Sequence, residues 1–281
     1  MGSPDASRGD LARAAVLCAV GVYLLYWLAR LAGAQQLAPV VLLVGFLFAP
    51  MWMLRRTPEI SREFEIGPET PLPPWRWRGV RYGLALSAVL LPAFAVVFWL
   101  FYDGACGAVA GSQGEGGVGL GAIYRFEASS LGTQRVERFV AGLCSRHNGE
   151  VLPSGLRWPT SWSDWSSGGV VMVLLSEVLL VAVPEEVFHR GYLMSALEAR
   201  WPPRHRLLGV RIGFGAVVSS AIFAVGHLVG DMRIDRLATF FPALLFAWIW
   251  RRSGSLWAAI IFHAASNLLM QVLLASTFPS S

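Results

Sequence analysis

Seven stretches of this 281-residue chain are apolar over a length that crosses a bilayer. Spanning about 30 Å of hydrocarbon takes roughly 20 helical residues, somewhat fewer inside a packed bundle. The stretches run approximately from Ala14 to Leu31, Leu37 to Leu54, Val80 to Phe101, Gly168 to Arg190 or beyond, Ile212 to Val229, Leu237 to Trp250 and Ser255 to Ala275. This pattern predicts an all-α polytopic membrane bundle of about seven transmembrane helices with one long extracytoplasmic loop. It divides the chain into N-terminal helices over 1–102, a loop insertion over 103–167 and a membrane core over 168–281. The first stretch lacks a small-residue cleavage site and is followed closely by the second, so it reads as a retained span.

Composition agrees with that solvent. Hydrophobic residues make up 55% of the chain and charged residues 15%. Together with a mean hydropathy of +0.53 and twelve tryptophans, this excludes an ordinary soluble domain and fits a membrane protein with interfacial Trp belts. Every one of the 23 basic residues is Arg, as in the proteins of GC-rich bacterial genomes, which points to a bacterial cytoplasmic membrane. The arginines also set an orientation. Six Arg against four acids lie from Arg55 to Arg81, four Arg and no acid from Arg200 to Arg211, and Arg251-Arg252 close the sixth stretch. Simple alternation puts all three on one side, which the positive-inside rule makes cytoplasmic, with the N-terminus inside and the long loop outside.

That loop, from Asp103 to Ser167, is Gly-rich between Gly104 and Gly121, and Ile123 to Cys144 has a helical pattern. In an oxidising compartment Cys106 and Cys144 would pair, closing a loop worth roughly 4 kcal/mol in the chain-entropy model; the alternative is two unpaired small residues. Trp158, Trp162 and Trp165 are spaced to share one helical face. Two readings apply, a headgroup-level anchor or a platform that guides a substrate helix. The chain has no Gly-rich phosphate loop, no paired CxxC and no basic patch with interleaved aromatics, so neither a cofactor nor nucleic acid is indicated.

Against this apolar background stand Glu185-Glu186-Val-Phe-His-Arg190, Phe223-x-x-x-His227 and His263-x-x-x-Asn267. Charges at bilayer depth cost about 2.5 to 3.5 kcal/mol each on insertion scales, which marks a functional cluster. Glu186 and Arg190 are one turn apart and can neutralise each other, whereas Glu185 points about 100° away, toward the face of His189. Pro184 removes a backbone hydrogen bond beside them. Counted at 1.5 Å per residue from the flanking arginines, Glu185, His227, His263 and Asn267 lie roughly 16 to 24 Å from the cytoplasmic boundary. That agreement holds if the fourth helix continues to Arg200 and fails if it leaves the membrane at Arg190. A carboxylate and an imidazole converging on a water would remove its proton as it attacks a carbonyl, while a second imidazole and a carboxamide would donate to the oxyanion. Glu185, His227 and His263 also form a two-His, one-carboxylate set, which leaves a metal reading open without the compact spacing that would favour it. A third reading is a non-catalytic immunity or transport-accessory protein with a proton or ligand site.

The three motifs resemble the signatures EExxxR, FxxxH and HxxxN of the CAAX protease and bacteriocin-processing family of intramembrane glutamic endopeptidases. The resemblance covers about Gly168 to Ala275. It implies that Glu185 and His227 activate water, that His263 and Asn267 form the oxyanion hole, that Glu186 and Arg190 brace the site, and that no metal takes part. It also implies a membrane-anchored protein or peptide substrate. With the large outer loop, the layout is similar to bacterial members that trim C-terminal sorting tails of exported proteins, the myxosortases among them. Beyond the motifs, the substrate-binding candidates are Trp158, Trp162, Trp165 and His189.

Overall fold

In a computed structural model of the chain, residues 4–57, 64–70, 72–111 and 167–277 are described. Cys144, Trp158, Trp162 and Trp165, the Cys106 side chain and the helix expected before Cys144 lie outside them. The described residues are helical apart from short connections and one small hairpin. The helices are α1 (Pro4–Leu31), α2 (Ala38–Arg55), α3 (Trp77–Gly111), α4 (residues 167–200), α5 (Phe214–Asp231), α6 (Phe240–Ser253) and α7 (Leu256–Thr277). Four segments are long and apolar enough to cross a bilayer: Ser7–Leu31, Ala38–Arg55, Trp77–Tyr102 and Leu256–Leu274. Phe214–Gly230 is apolar but shorter. Leu17, Val89 and Met172 are each more than 60% exposed. Outward-facing side chains of this kind are expected where the solvent is lipid rather than water.

One sequence boundary moves, and one left open by the sequence is resolved. Helix α3 continues to Gly111, ten residues past Phe101. Hydropathy marks what fits in hydrocarbon, whereas a helix stops only where its hydrogen bonds do, and the segment after Phe101, though it holds glycines, contains no proline to stop it. Helix α4 does not leave at Arg190. It runs on to Arg200, through wide π-helical turns at Glu177–Ala182 and Val187–Met194 on either side of an α turn at Val183–Glu186. The turn between these two π segments contains Pro184, which lacks the N–H that a regular α ladder needs.

The chain forms two compact units. One comprises residues 1–85 and 173–264, the other residues 86–172 and 265–281. In the second, Phe94, Phe98 and Tyr102 follow one another along α3 as tilted ring pairs at centroid distances of 6.3 and 4.6 Å. The first carries the polar motifs, except that Asn267 lies beyond its boundary.

At one end of the first unit the three arginine-bearing connections meet. Residues 205–212 form an antiparallel hairpin, pairing His205 with Ile212 and Leu207 with Val210. Its two central residues, Leu208 and Gly209, both have positive φ, at 47° and 84°, as a tight type I′ turn requires. The Trp248 indole donates to the Leu207 carbonyl at 3.3 Å, Arg76 donates to the Gly254 carbonyl at 3.4 Å, and Arg251 pairs with Glu198. The linker's Glu65 accepts from the Trp250 indole at 2.7 Å and from the Leu256 backbone N–H at 3.0 Å, which caps α7. Alternating spans bring such connections to the same side.

Burial raises the Glu65 carboxyl above the ordinary glutamate range, against the opposing pull of the Leu256 N–H, the Trp250 indole and the Arg76 and Arg251 guanidiniums. A folded-state value above the unfolded one contributes stability that is fully present below the unfolded value and is lost as pH rises through the folded one. The thermal midpoint, followed from about pH 4 to about pH 7, is therefore expected to include a falling component that Glu65→Gln removes. An identical slope in the variant would contradict this.

Candidate active site

The site is assembled from the α turn of α4 between its two π segments and from the second of those segments. Glu185, Glu186, His189 and Arg190 all project from Val183–Met194. Glu186 is fully buried and Arg190 is 1% exposed, and Arg190 Nη1 donates to Glu186 Oε1 at 3.0 Å. The second guanidinium nitrogen, Nη2, donates to the Ala243 carbonyl of α6 at 2.9 Å. The guanidinium also lies 4.7 Å from the Phe223 ring centre and 5.2 Å from that of Phe246. A buried charge held in this way has one orientation available.

His263 of α7 completes a chain of three. Its Nδ1 lies 2.8 Å from the same Glu186 Oε1 that receives Arg190. A carboxylate only accepts, so Nδ1 carries the proton. Nε2 then faces Glu185, 3.7 Å from Oε2, which is too long for a direct hydrogen bond. The ring is 3% exposed and stacked on Phe246 at 4.6 Å between centroids. Glu185 is the more accessible of the two acids, its side chain being 17% exposed. Its Oε2 is buried and has no hydrogen-bond partner among the described residues. The guanidinium holds Glu186, and the His263 ring stands between the two carboxylates.

His227 of α5 donates from Nδ1 to the Phe223 carbonyl at 3.0 Å. That bond assigns the tautomer, so Nε2 keeps its lone pair and is the nitrogen able to take a proton. Phe223 is the hub of the cluster. Its ring lies 4.4 Å from that of His227, 5.0 Å from His189 and 6.1 Å from His263, and it also packs against Arg190. The Phe of the second motif is thus the wall that sets the three imidazoles around one centre. Asn267 follows His263 by one turn of α7.

His189 is corrected from a candidate substrate contact to a buried internal one. It is fully buried, Nδ1 donates to the Glu185 carbonyl at 3.0 Å, and Nε2 accepts from the Tyr23 hydroxyl of α1 at 3.0 Å. Both ring nitrogens are engaged, so neither can meet a substrate. Helical spacing gave its face correctly but could not show that α1 and α2 cover that face with Tyr23 and Phe46. Tyr23, Phe46, Phe246 and the Ala243 carbonyl were all missed, because each reaches the site from a distant helix with no motif around it. No three His, Cys, Asp or Glu side chains among the described residues stand in an arrangement that would hold a metal ion.

Helices with apolar outer faces around a buried centre of acid, imidazole and guanidinium groups fit a multi-pass membrane protein. Residues 167–269, which contain all three motifs, match the family described as Rce1-like, the type II CAAX prenyl endopeptidases. Over that region the chain is similar to those endopeptidases. The match covers a little over a third of the chain and leaves α1, α2 and α3 outside. No curated protein and no solved structure matches the chain.

Proposed function

We propose that the protein is a glutamic-type intramembrane endopeptidase that cuts a peptide bond near the transmembrane or C-terminal anchor of a membrane-attached protein. The observation that carries this reading is the division of the two acids. Glu186 is fully buried with its Oε1 held by both Arg190 and His263, whereas Glu185 is the more accessible acid, 17% exposed, and keeps an Oε2 with no hydrogen-bond partner among the described residues. A water between Glu185 and His227 loses a proton to them as its oxygen attacks the scissile carbonyl. The proton then passes to the departing amine, so no covalent enzyme intermediate forms. His263, as an imidazolium whose Nδ1–H is held by Glu186, donates from Nε2 to the oxyanion together with Asn267. The apolar Phe223 and Phe246 walls strengthen these interactions by excluding bulk water.

The substrates we propose are C-terminal sorting tails of exported proteins, presented from the outer face of a bacterial cytoplasmic membrane. Two observations support that choice. The arginine-bearing connections gather at one end, and α4 reaches Arg200, which keeps Glu185 on the same depth scale as His227 and His263. The test is co-expression with epitope-tagged exported proteins that carry such tails. Shortening by the wild type and none by Glu185→Gln is the expected result. Full-length reporters in both strains would contradict the reading and favour an immunity or accessory role. For the oxyanion donors, Asn267→Ala is expected to lower kcat by about 10²- to 10³-fold with the protein still folded, as measured on whichever reporter is cut.

A further inference from the structure

The matched region begins at residue 167, yet one of the groups that orders the site comes from α1. Tyr23 stands between two helices. Its hydroxyl meets His189 Nε2 at 3.0 Å, and His189 Nδ1 meets the Glu185 carbonyl at 3.0 Å. The carbonyl only accepts, so the direction of the relay is fixed: the phenol donates to the imidazole, and the imidazole donates to the Glu185 peptide. Phe46, Phe188 and Phe223 surround the imidazole at 5.0 to 5.1 Å, which leaves the ring no second orientation. The Tyr23 ring also lies against Gly226 of α5, where a Cβ would run into it. Gly226 immediately precedes His227. A single side chain of α1 therefore reaches the backbone that carries Glu185 through a hydrogen-bond relay, and the backbone that carries His227 through direct contact.

We infer that Tyr23 is a positioning residue for the Glu185 and His227 pair, an inference that rests on the hydrolytic reading above. The hydroxyl selects the His189 tautomer and holds the Glu185 peptide in place, within a helix whose π turns on either side depart from the regular α ladder. The ring's contact with Gly226 sets how closely α1 approaches the turn that bears His227. The N-terminal helix is thus part of the catalytic apparatus even though it touches no reacting atom.

The test compares wild type, Tyr23→Phe, Gly226→Ala and Glu185→Gln, purified whole and reconstituted in vesicles with a tail-anchored reporter that the wild type cuts. Tyr23→Phe keeps the ring and removes only the donor. It is expected to lower kcat about tenfold to a hundredfold with KM unchanged, because small misplacements of reacting groups cost that much. The histidine ¹⁵N spectrum should show the His189 Nε2 resonance moving as its hydrogen bond is lost, which a mere loss of packing would not produce. Gly226→Ala keeps the hydroxyl and displaces the ring, so it should lower kcat in the same direction and serves if Tyr23→Phe folds poorly. Wild-type kcat in either folded variant overturns the inference, as does a loss confined to KM. Cleavage by Glu185→Gln would instead overturn the proposed function, and the positioning role with it, whatever the Tyr23 result.

Discussion

Glu185→Gln is expected to remove peptide-bond cleavage while leaving the protein folded. The carboxamide is close in shape to the carboxylate but accepts no proton at working pH, so it loses the general-base contribution of about 10²- to 10⁴-fold, and more if the acid also delivers the proton to the amine. The fold should tolerate the change because Glu185 carries little of the local hydrogen bonding. Its Oε2 has no hydrogen-bond partner among the described residues, and His263 stands 3.7 Å from it. Replacing a partly exposed, unpartnered acid with a neutral amide leaves no buried charge uncompensated. The measurements are turnover in vesicles and the thermal midpoint of the purified variant. Retained turnover would remove Glu185 from the chemistry, and a collapsed midpoint would assign it a structural role.

The second large effect falls on stability. Arg190→Leu deletes the donor to Glu186 and to the Ala243 carbonyl and leaves a fully buried carboxylate facing only His263. Breaking a buried pair by removing one partner costs about 3 to 5 kcal/mol, a large share of the total stability of an ordinary domain. Little folded Arg190→Leu protein is therefore expected in size-exclusion profiles of detergent extracts. Adding Glu186→Gln removes the stranded charge and should recover much of the yield, and a double variant no better than the single one would contradict this. The contrast between neighbouring acids is the core of the account. Glu185 variants should fold and fail to cut, whereas disruption of the Glu186 and Arg190 pair should first fail to fold.

Much of this division was legible in the chain. The spacing of Glu186 and Arg190 gave their pairing, and hydropathy found the long helices among the described residues. The arginines anticipated which connections share an end. What could not be read is what depends on packing between distant segments. Glu186 and His263 are 77 residues apart, Tyr23 and His189 are 166 apart, and no local periodicity links either pair. His189 was misassigned for this reason, since its face was right but its cover was invisible. The continuation of α4 past Arg190 was undecided in the sequence because a proline and an ionisable cluster normally argue for a helix end. Here π turns and buried partners absorb both.

The measurement closest to the central claim is the mass of the fragments formed when the reconstituted protein meets one tail-anchored reporter. The account predicts a single pair of fragments from the wild type, summing to the substrate plus one water, with the cut beside or within the anchor, and no such pair from Glu185→Gln. The same pair from Glu185→Gln, or an intact reporter with folded wild type, would contradict it.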